Sequence, residues 1–254
     1  MSFNSLHHIT CIVPSSPIKS HPSLEIIEKT IESIRYHLPD NEIIITLDGV
    51  RKEQEEYRER YEDYIKALLW KCNFEWHNIL PVIHDDQKHQ VQMAKEVLPL
   101  IKTPLLLYIE HDCWLRTDKN IDFEGIAKCV EDGTANMIRL SHEAEVLEPH
   151  KQLFFEREEV NGVPLIQTSQ WSQRPHVASV AFYDRILTDY FTPEANTMIE
   201  DKMYGVVETA AREYGIPGWS QFRLYLYAPG DDYKRSYTTD GREGDAKYDD
   251  RFSF

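Results

Sequence analysis

The sequence lacks long hydrophobic runs. Among its 254 residues, no uninterrupted apolar stretch exceeds five residues, whereas a transmembrane helix needs ~20. The N-terminal segment has neither a basic region nor an apolar region, so we expect no signal peptide. These absences predict a cytoplasmic protein without an integral membrane segment.

Cysteine is scarce, and its spacing is uninformative. The chain has four cysteines, Cys11, Cys72, Cys113 and Cys129, and none forms a Cys-x-x-Cys pair. We therefore expect reduced, mostly buried thiols.

Basic residues are also in short supply. The chain has 28 Lys and Arg against 43 Asp and Glu, which gives a net charge of −15. Nucleic-acid affinity comes mainly from Lys and Arg that neutralise phosphates, so we expect no nucleic-acid partner. The same deficit disfavours anionic membrane surfaces, which recruit polybasic clusters.

The residues that are present favour a folded α/β protein. Hydrophobic residues make up 41% of the chain, enough for a core in one large or two small domains. The first half alternates predicted strands at 8–13, 42–47, 74–83 and 104–109 with predicted helices at 22–37, 51–71 and 88–101. This alternation predicts a mostly parallel sheet, flanked by helices, whose ligand lies beyond the carboxyl ends of the strands.

The second half has a different pattern. Asn161-Gly162 predicts a two-residue hairpin turn between strands at 152–160 and 163–169. We also predict strands at 136–140 and 176–183, helices near 184–190 and 198–213, and a loop-like tail at 229–254.

Two acids follow the apolar strand at 104–109. In extended chain, Glu110 and Asp112 point to the same side. Mg²⁺ and Mn²⁺ prefer oxygen ligands, so the pair indicates a site for a hard divalent cation. The acids could equally be ordinary surface residues at a strand end, and Asp112 could cap a turn.

Two other strand ends are predicted at the same edge. Pro14 ends the first strand, and Asp48 ends the second. Asp-Gly is a turn dipeptide whatever the function, and a proline can simply terminate a strand. Their position beside Glu110 and Asp112 nevertheless favours one shared crevice.

An acidic pair also begins the helix predicted at 198–213. A carboxylate there, Asp201 in particular, is a candidate general base, a role that typically contributes ~10²–10⁴-fold in rate. The alternative is structural, because Thr197-Met198-Ile199-Glu200 fits a capping box in which Glu200 satisfies the helix terminus.

The ordered set of motifs resembles GT-A glycosyltransferases, especially the family 2-like inverting enzymes. Glu110-His111-Asp112 resembles the Asp-x-Asp motif of that family, and Glu200-Asp201 resembles its later Glu-Asp pair. Pro14 and Asp48 match the ends of its first two strands. The segment 87–95 lies where the family has a Gly-x-x-x-Ala-Arg-Asn type helix. The resemblance implies a single GT-A-like (Rossmann-like) domain with a β-hairpin and helices in its second half.

The resemblance also implies residue roles. It implies a nucleotide-sugar site formed by Pro14, Ser16, Asp48, Lys88, Gln92, Glu110 and His111. Asp112, with Glu110 directly or through water, would bind Mn²⁺ or Mg²⁺, and Asp201 would deprotonate the acceptor hydroxyl. Acceptor contacts are expected from Trp171, Arg174 and His176.

The implied activity is metal-dependent, inverting transfer of a hexosyl or pentosyl group. The donor would be a UDP-, GDP- or dTDP-linked sugar, and the acceptor a glycan or lipid-linked saccharide, as in polysaccharide biosynthesis. Residues 1–115 would form the donor half, 116–228 the acceptor half, and 229–254 a tail that closes as a lid. The chain lacks a Gln-x-x-Arg-Trp motif, which disfavours a processive synthase.

Three alternatives remain open at the sequence level. A nucleotidyltransferase usually needs a glycine-rich basic loop after the first strand, and the segment 14–19 has no glycine. A metal phosphohydrolase of the His-Asp type is suggested by His84-Asp85 and His111-Asp112. The metal sites of such phosphohydrolases are built on helices, however, whereas His111-Asp112 follows a predicted strand. A non-catalytic sugar-binding module stays possible because Glu110 replaces the first Asp of the motif.

Overall fold

The computed structural model describes residues 5–230 and 232–239. Its strands are, in chain order, β1 (Ile9–Ser15), β2 (Ile43–Leu47), β3 (Ile79–Ile83), β4 (Leu105–Tyr108), β5 (Cys113–Leu115), β6 (Met137–Arg139), β7 (Phe154–Val160), β8 (Val163–Thr168), β9 (His176–Ser179), β10 (Leu224–Tyr227) and β11 (Ser236–Thr238).

Nine of these strands form one sheet, in the order β3-β2-β1-β4-β9-β6-β10-β8-β7. The first four in this order are parallel neighbours, as the sequence predicts. Beyond β4 only β8 and β9 run against the common direction, because β6 and β10 pair in parallel and β7 is antiparallel to β8. The predicted α/β class with a mostly parallel central sheet is confirmed.

Seven α-helices flank the sheet in the part of the chain that the structure describes. They are α1 (Glu25–His37), α2 (Arg58–Phe74), α3 (His89–Val97), α4 (Phe123–Glu131), α5 (Val180–Tyr190), α6 (Ile199–Tyr214) and the short α7 (Ile216–Trp219). Apolar side chains of α1, α2 and α4 pack on one face of the sheet. Those of α3, α5 and α6 pack on the other, so the molecule has three layers.

The central strand shows how the sequence produces these layers. Leu105 and Leu107 face the α1 side, whereas Leu106 and Tyr108 face the α3 side, and all four are buried. Successive side chains of a strand point to opposite faces. An apolar run is therefore required where both faces are covered.

The predicted hairpin is confirmed. Asn161 and Gly162 connect β7 to β8 with φ of 54° and 81°. Positive φ at both central residues defines the type I′ turn, whose twist matches that of the flanking strands.

The structure also contains strands that the sequence did not predict. These strands are β5, β10 and β11. The strand predicted at 176–183 is shorter than expected and ends at Ser179. The Ser179 hydroxyl caps α5 by accepting a hydrogen bond from the Phe182 N–H at 3.4 Å. The loop-like tail is corrected in its described part, because β11 pairs with β5. The lid predicted for the tail falls largely on 240–254, which lies outside the described residues.

No described helix is both long enough and apolar enough to cross a bilayer.

Candidate functional site

A cavity of about 460 Å³ lies at the carboxyl ends of β1, β2 and β4. Its lining includes three acids, Asp48, Glu110 and Asp112, and one permanent cation, Arg51. Pro14, Ser16 and His111 also line it, so the predicted convergence of the strand ends is confirmed. The volume falls in the range of roughly 300–1,000 Å³ that is typical of small-molecule sites.

A β-turn brings the two motif acids together. The Cys113 N–H donates to the carbonyl oxygen of Glu110 at 2.9 Å. Thr30 Oγ1 donates to the carbonyl oxygens of His111 and Cys113 at 2.7 and 3.1 Å. The extended chain expected for Glu110 and Asp112 is corrected by the structure, because β4 ends at Tyr108, before the two acids. The turn is what holds the carboxylates of Glu110 and Asp112 near each other.

The donor set of the turn suits a hard cation. One ligand atom each of Glu110, Asp112 and Cys113 lies within 4.8 Å of the others. Burial, followed by the charges of Asp112 and Glu110, raises the pKa of the Cys113 thiol well above its usual value, so this thiol stays protonated. A protonated thiol is a poor ligand for a hard cation, whereas two carboxylates match Mg²⁺ and Mn²⁺. The residues therefore fit a divalent cation held by Glu110 and Asp112.

Asp48 is buried, and backbone donors surround its carboxylate. Oδ1 accepts hydrogen bonds from the N–H groups of Gly49 at 2.9 Å and Lys88 at 2.6 Å. The His89 N–H donates to Oδ2 at 3.2 Å. His89 has φ of 58°, a left-handed conformation that non-glycine residues rarely adopt. The carboxylate thus fixes the start of α3 against the end of β2.

Gly49 is required by a close backbone approach. A Cβ at this position would lie 2.3 Å from the carbonyl carbon of Asp86 and 2.5 Å from the nitrogen of Gln87. Real Cβ atoms do not come this close to backbone. The Asp-Gly dipeptide therefore lets the segment before α3 pack directly on the end of β2.

Gln90 connects the two halves of the molecule at the cavity. Its Nε2 donates to Glu110 Oε1, and its Oε1 accepts from the backbone N–H of Ile199 at 3.3 Å. Both groups of the buried amide are thereby used. Gln90 orients the Glu110 carboxylate and ties it to the first turn of α6.

His111 lines the cavity and has a buried, unused acceptor atom. Its backbone N–H and its Nδ1 lie 3.1 and 3.3 Å from the carbonyl oxygen of Pro14. A carbonyl only accepts, so we assign the ring proton to Nδ1, which leaves a lone pair on Nε2. Nε2 is buried and has no hydrogen-bond partner among the described residues.

The predicted capping box at α6 is not formed. Glu200 Oε2 accepts from the Gln173 N–H at 2.8 Å, and Met198, at the N-cap, makes no side-chain cap bond. Asp201 is exposed and accepts from Thr197 Oγ1 at 3.3 Å. Met198 lines the cavity, but Asp201 does not.

The charge of Asp201 nevertheless reaches the cavity lining. Burial lowers the pKa of His89, as does Arg51, whereas Asp48 and Asp201 oppose this shift. Asp201 follows Met198, which lines the cavity, by three positions at the start of α6.

Two of the three expected acceptor residues lie in the core, which corrects their expected placement. Trp171 and His176 are both 0% exposed. Trp171 Nε1 donates to Gln173 Oε1 at 2.8 Å. Neither residue presents a surface to an acceptor. Arg174 is 31% exposed and forms a bidentate pair with Glu143, beside a second, smaller cavity.

Lys88 and Gln92 do not line the large cavity, contrary to expectation. Lys88 Nζ pairs with Glu96 at 3.1 Å, and Gln92 Nε2 donates to the carbonyl oxygen of Glu194 at 3.1 Å. The same helix places His89, Gln90 and Met93 at the cavity instead. The buried stripe of α3 could have identified Gln90, which lies next to Val91 and Ala94, whereas Lys88 and Gln92 lie on the flanks.

No protein-family model and no curated protein sequence matches the chain. Solved structures do resemble it in fold. TarS residues 1–349 from S. aureus superpose with a TM-score of 0.51 at 12% identity, over 91% of this chain and 60% of that one. GalNAc-T7, solved with UDP, GalNAc and Mn²⁺, gives 0.52 at 11% identity, over 93% and 45%.

A third similar structure is the mannosyltransferase PcManGT from Pyrobaculum calidifontis, solved with GDP-Man and Mn²⁺. It gives a TM-score of 0.50 at 11% identity, over 89% of this chain and 58% of that one. The chain thus spans between about half and three fifths of the length of these structures. The similarity establishes a GT-A-like glycosyltransferase fold, as the sequence motifs predict.

Proposed function

We propose that the protein is a metal-dependent glycosyltransferase. It moves a hexosyl or pentosyl group from a nucleotide-diphospho-sugar to a hydroxyl of a glycan or lipid-linked saccharide, with inversion and without processivity. One observation carries the proposal: Glu110 and Asp112 present their carboxylates together in a cavity at the carboxyl edge of a GT-A-like sheet. Ligands of open α/β sheets bind at this edge.

The donor nucleotide lies between the ends of β1 and β2. Pro14, Ser15, Ser16, Asp48 and His111 line this part of the cavity, and His111 Nε2 has no hydrogen-bond partner among the described residues. A histidine acceptor suits an N–H of a base or a ribose hydroxyl. The donor is a UDP-, GDP- or dTDP-linked sugar.

Glu110 and Asp112 hold the divalent cation, Mn²⁺ or Mg²⁺. When bound, such a cation stabilises the leaving diphosphate as a Lewis acid, an effect worth several kcal/mol. Gln90 keeps Glu110 oriented through its Nε2 hydrogen bond. The three lining acids disfavour a bare diphosphate, so donor binding depends on the cation.

Asp201 is the general base. Its carboxylate is exposed and interacts electrostatically with His89, which lines the cavity. It takes the proton of the acceptor hydroxyl as the acceptor oxygen bonds to the anomeric carbon and the bond to the diphosphate breaks. In-line displacement of this kind inverts the anomeric centre.

Thermal shift measurements on the full chain test the donor model. UDP, GDP and dTDP, each with and without Mn²⁺, are compared on wild type. We expect one nucleotide to raise the melting temperature with Mn²⁺ and to have little effect with EDTA. Stabilisation that ignores the metal, or none across the panel, contradicts the proposal.

A sugar-nucleotide-binding protein without transferase activity is the second candidate. It is favoured by the position of Asp201 outside the cavity lining. Incubation of a labelled nucleotide sugar with Mn²⁺ separates the two, because a transferase without its acceptor usually releases some free sugar to water. Metal-dependent binding without any release supports the second candidate.

A further inference from the structure

Arg139, the last residue of β6, is a buried cation with unused donors. It is 3% exposed. Its Nη2 donates to Gln170 Oε1 at 2.7 Å, but its Nε and Nη1 have no hydrogen-bond partner among the described residues. It forms no salt bridge within that part of the chain. A guanidinium has five N–H donors, so most of its hydrogen-bonding capacity is unused.

The surroundings of Arg139 are costly for a charge that lacks a partner. The Phe154 ring covers the guanidinium at 5.5 Å. Burial, together with the charge of Arg174, lowers the pKa of Arg139 to about 9, although Glu143 and Glu200 oppose this shift. Buried charges are normally paired and hydrogen-bonded. Nε and Nη1 are themselves buried, and an anion brought within hydrogen-bond distance of them would satisfy both requirements.

Arg139 lines a small polar cavity. The cavity has a volume of about 30 Å³, and its polar lining comprises Arg139, Ser141, Glu143, Glu145, His150, Gln170 and Arg174. A cavity needs a volume of ~10–15 Å³ to hold one water. The small cavity therefore fits two waters or the oxygens of one carboxylate or phosphate. Glu143 is already held by Arg174 at the rim, which leaves Arg139 as the unpaired cation of the cavity.

The strand that carries Arg139 is separated by one strand, β9, from the strand that leads into the motif acids. Arg139 is opposite His176 in the sheet, and His176 is opposite Tyr108, so all three point to the same face. Neighbouring strands lie ~4.8 Å apart. Arg139 is therefore about 10 Å from Tyr108 across the sheet, and Tyr108 precedes Glu110 by two residues.

We propose that Arg139 binds an anionic group, a phosphate or a carboxylate, of the sugar acceptor. This inference rests on the proposed glycosyltransferase function and adds the class of its acceptor. An acceptor anchored at Arg139 would lie two strands from β4, which leads into Glu110 and Asp112, on the α3 face of the sheet. Arg174 would donate hydrogen bonds to the anion at the rim if it left its ion pair with Glu143. The negative charge of Glu143 opposes the incoming anion.

Binding of inorganic phosphate and of acetate to the full chain tests the site. Each anion is titrated calorimetrically at pH 8 with EDTA, which leaves the acidic donor cavity without a cation. We expect saturable binding by wild type and at least about tenfold weaker binding by Arg139→Gln, with Arg139→Lys in between. Preference for phosphate over acetate indicates a phosphorylated acceptor, and the reverse indicates a carboxylated one.

Two controls fix the location of the bound anion. Arg212→Gln removes an arginine that is 63% exposed in its pair with Glu208, and we expect no change. Asp112→Asn alters the donor cavity and should leave phosphate binding as in wild type. Absent binding, or equal binding by Arg139→Gln, means that water hydrates a structural arginine and overturns the proposal.

A variant with the opposite effect covers the case in which Arg139→Gln does not fold. Glu143→Gln removes the competing carboxylate and releases Arg174, so phosphate should bind several-fold more tightly. Unchanged or weaker binding by Glu143→Gln counts against the site.

Nucleotide binding separates this proposal from the glycosyltransferase proposal. UDP or GDP with Mn²⁺ should bind Arg139→Gln as well as wild type. If wild type binds phosphate through Arg139 but no nucleotide under any condition, the transferase proposal fails and only an anion site remains. If it binds nucleotide with Mn²⁺ but no anion at Arg139, the acceptor proposal fails alone.

Discussion

The large cavity at the strand ends and the small cavity at Arg139 differ in the charged residues that line them. Asp48, Glu110 and Asp112 line the first. The second is lined by two arginines, Arg139 and Arg174, and by two acids, Glu143 and Glu145; Arg174 is paired with Glu143, whereas Arg139 has donors without a hydrogen-bond partner among the described residues. An anionic ligand enters the first only with a cation, whereas the second attracts an anion directly. A net charge of −15 therefore says little about which ligands the individual sites accept.

The two cavities also differ in how the chain builds them. The donor cavity uses the ends of parallel neighbours, which meet at one edge in any such sheet. The Arg139 cavity combines β6 with Phe154, Gln170 and Leu226, which come from distant and partly antiparallel segments. A site of the first kind follows from topology, whereas a site of the second kind depends on packing.

The largest expected effect separates the cavities by their metal requirement. Asp112→Asn should weaken nucleotide binding in Mn²⁺ by about 10³-fold, because it removes a carboxylate from a cation site worth several kcal/mol. Calorimetric titration of UDP or GDP with Mn²⁺ measures the change. Asp118→Asn, which alters an exposed acid paired with Arg116, is the matched control. Equal nucleotide affinity in both variants would remove the metal from the donor model.

The next effect concerns Asp201, the proposed general base. Asp201→Asn should lower transfer by ~10²-fold or more without changing donor affinity. Glu200→Gln serves as the comparison, because Glu200 is held by the Gln173 N–H. Single-turnover transfer from a labelled donor measures both. A larger loss in Glu200→Gln than in Asp201→Asn would reassign the base.

A smaller effect tests how tightly the donor side is packed. Gly49→Ala should destabilise the fold by about 1–3 kcal/mol, because its Cβ would overlap backbone. Gly205→Ala on α6 is the control: no atom lies within 4 Å of its added Cβ, so we expect stabilisation by about 0.5–1 kcal/mol. Urea unfolding measures both free energies. Equal stability of the two variants would show that the segment at Asp86 moves freely.

The last effect is a pH dependence that originates at His176, in the core. Burial, the largest cause, lowers the pKa of His176 from 6.5 to about 4. The unfolded chain then binds one more proton than the folded chain between these values. The contribution of neutral His176 to the free energy of unfolding is complete above pH 6.5. It is lost as the pH falls towards 4, by about 1.4 kcal/mol per pH unit.

His176→Gln should lower the slope of the free energy of unfolding against pH by the contribution of one proton. Urea unfolding at several pH values between 4 and 7 measures it, and His7→Gln, at an exposed histidine, is the control. An unchanged slope in His176→Gln would mean that His176 is protonated in the folded protein.

The strands and strand ends around the large cavity could be predicted from the sequence, whereas the surroundings of Arg139 could not. β1, β2 and β4 are buried on both faces, so their apolar runs identify them, and their ends locate Pro14, Asp48 and Glu110. The short strands β5 and β11 have only three residues each, too few for a periodic signal. Arg139 ends a short strand, where an arginine usually faces solvent, and only the packed structure reveals its burial.

Errors within the site have physical causes as well. Trp171 and His176 were expected at the acceptor because aromatic rings suit sugars, but their large apolar surfaces are buried in the core instead. Lys88 and Gln92 were chosen from the correct helix but from its flanks. Sequence identifies an element more readily than the orientation of that element.

The pairing of β5 with β11 has a consequence for biosynthesis. The Thr239 N–H donates to the carbonyl oxygen of Asp112 at 3.0 Å, so the loop of this acid gains a neighbour that is translated more than a hundred residues later. At usual ribosomal rates that delay is roughly 6–25 s. The four parallel strands can assemble on the nascent chain during this time, whereas the surroundings of Asp112 are completed only near the end of the described chain.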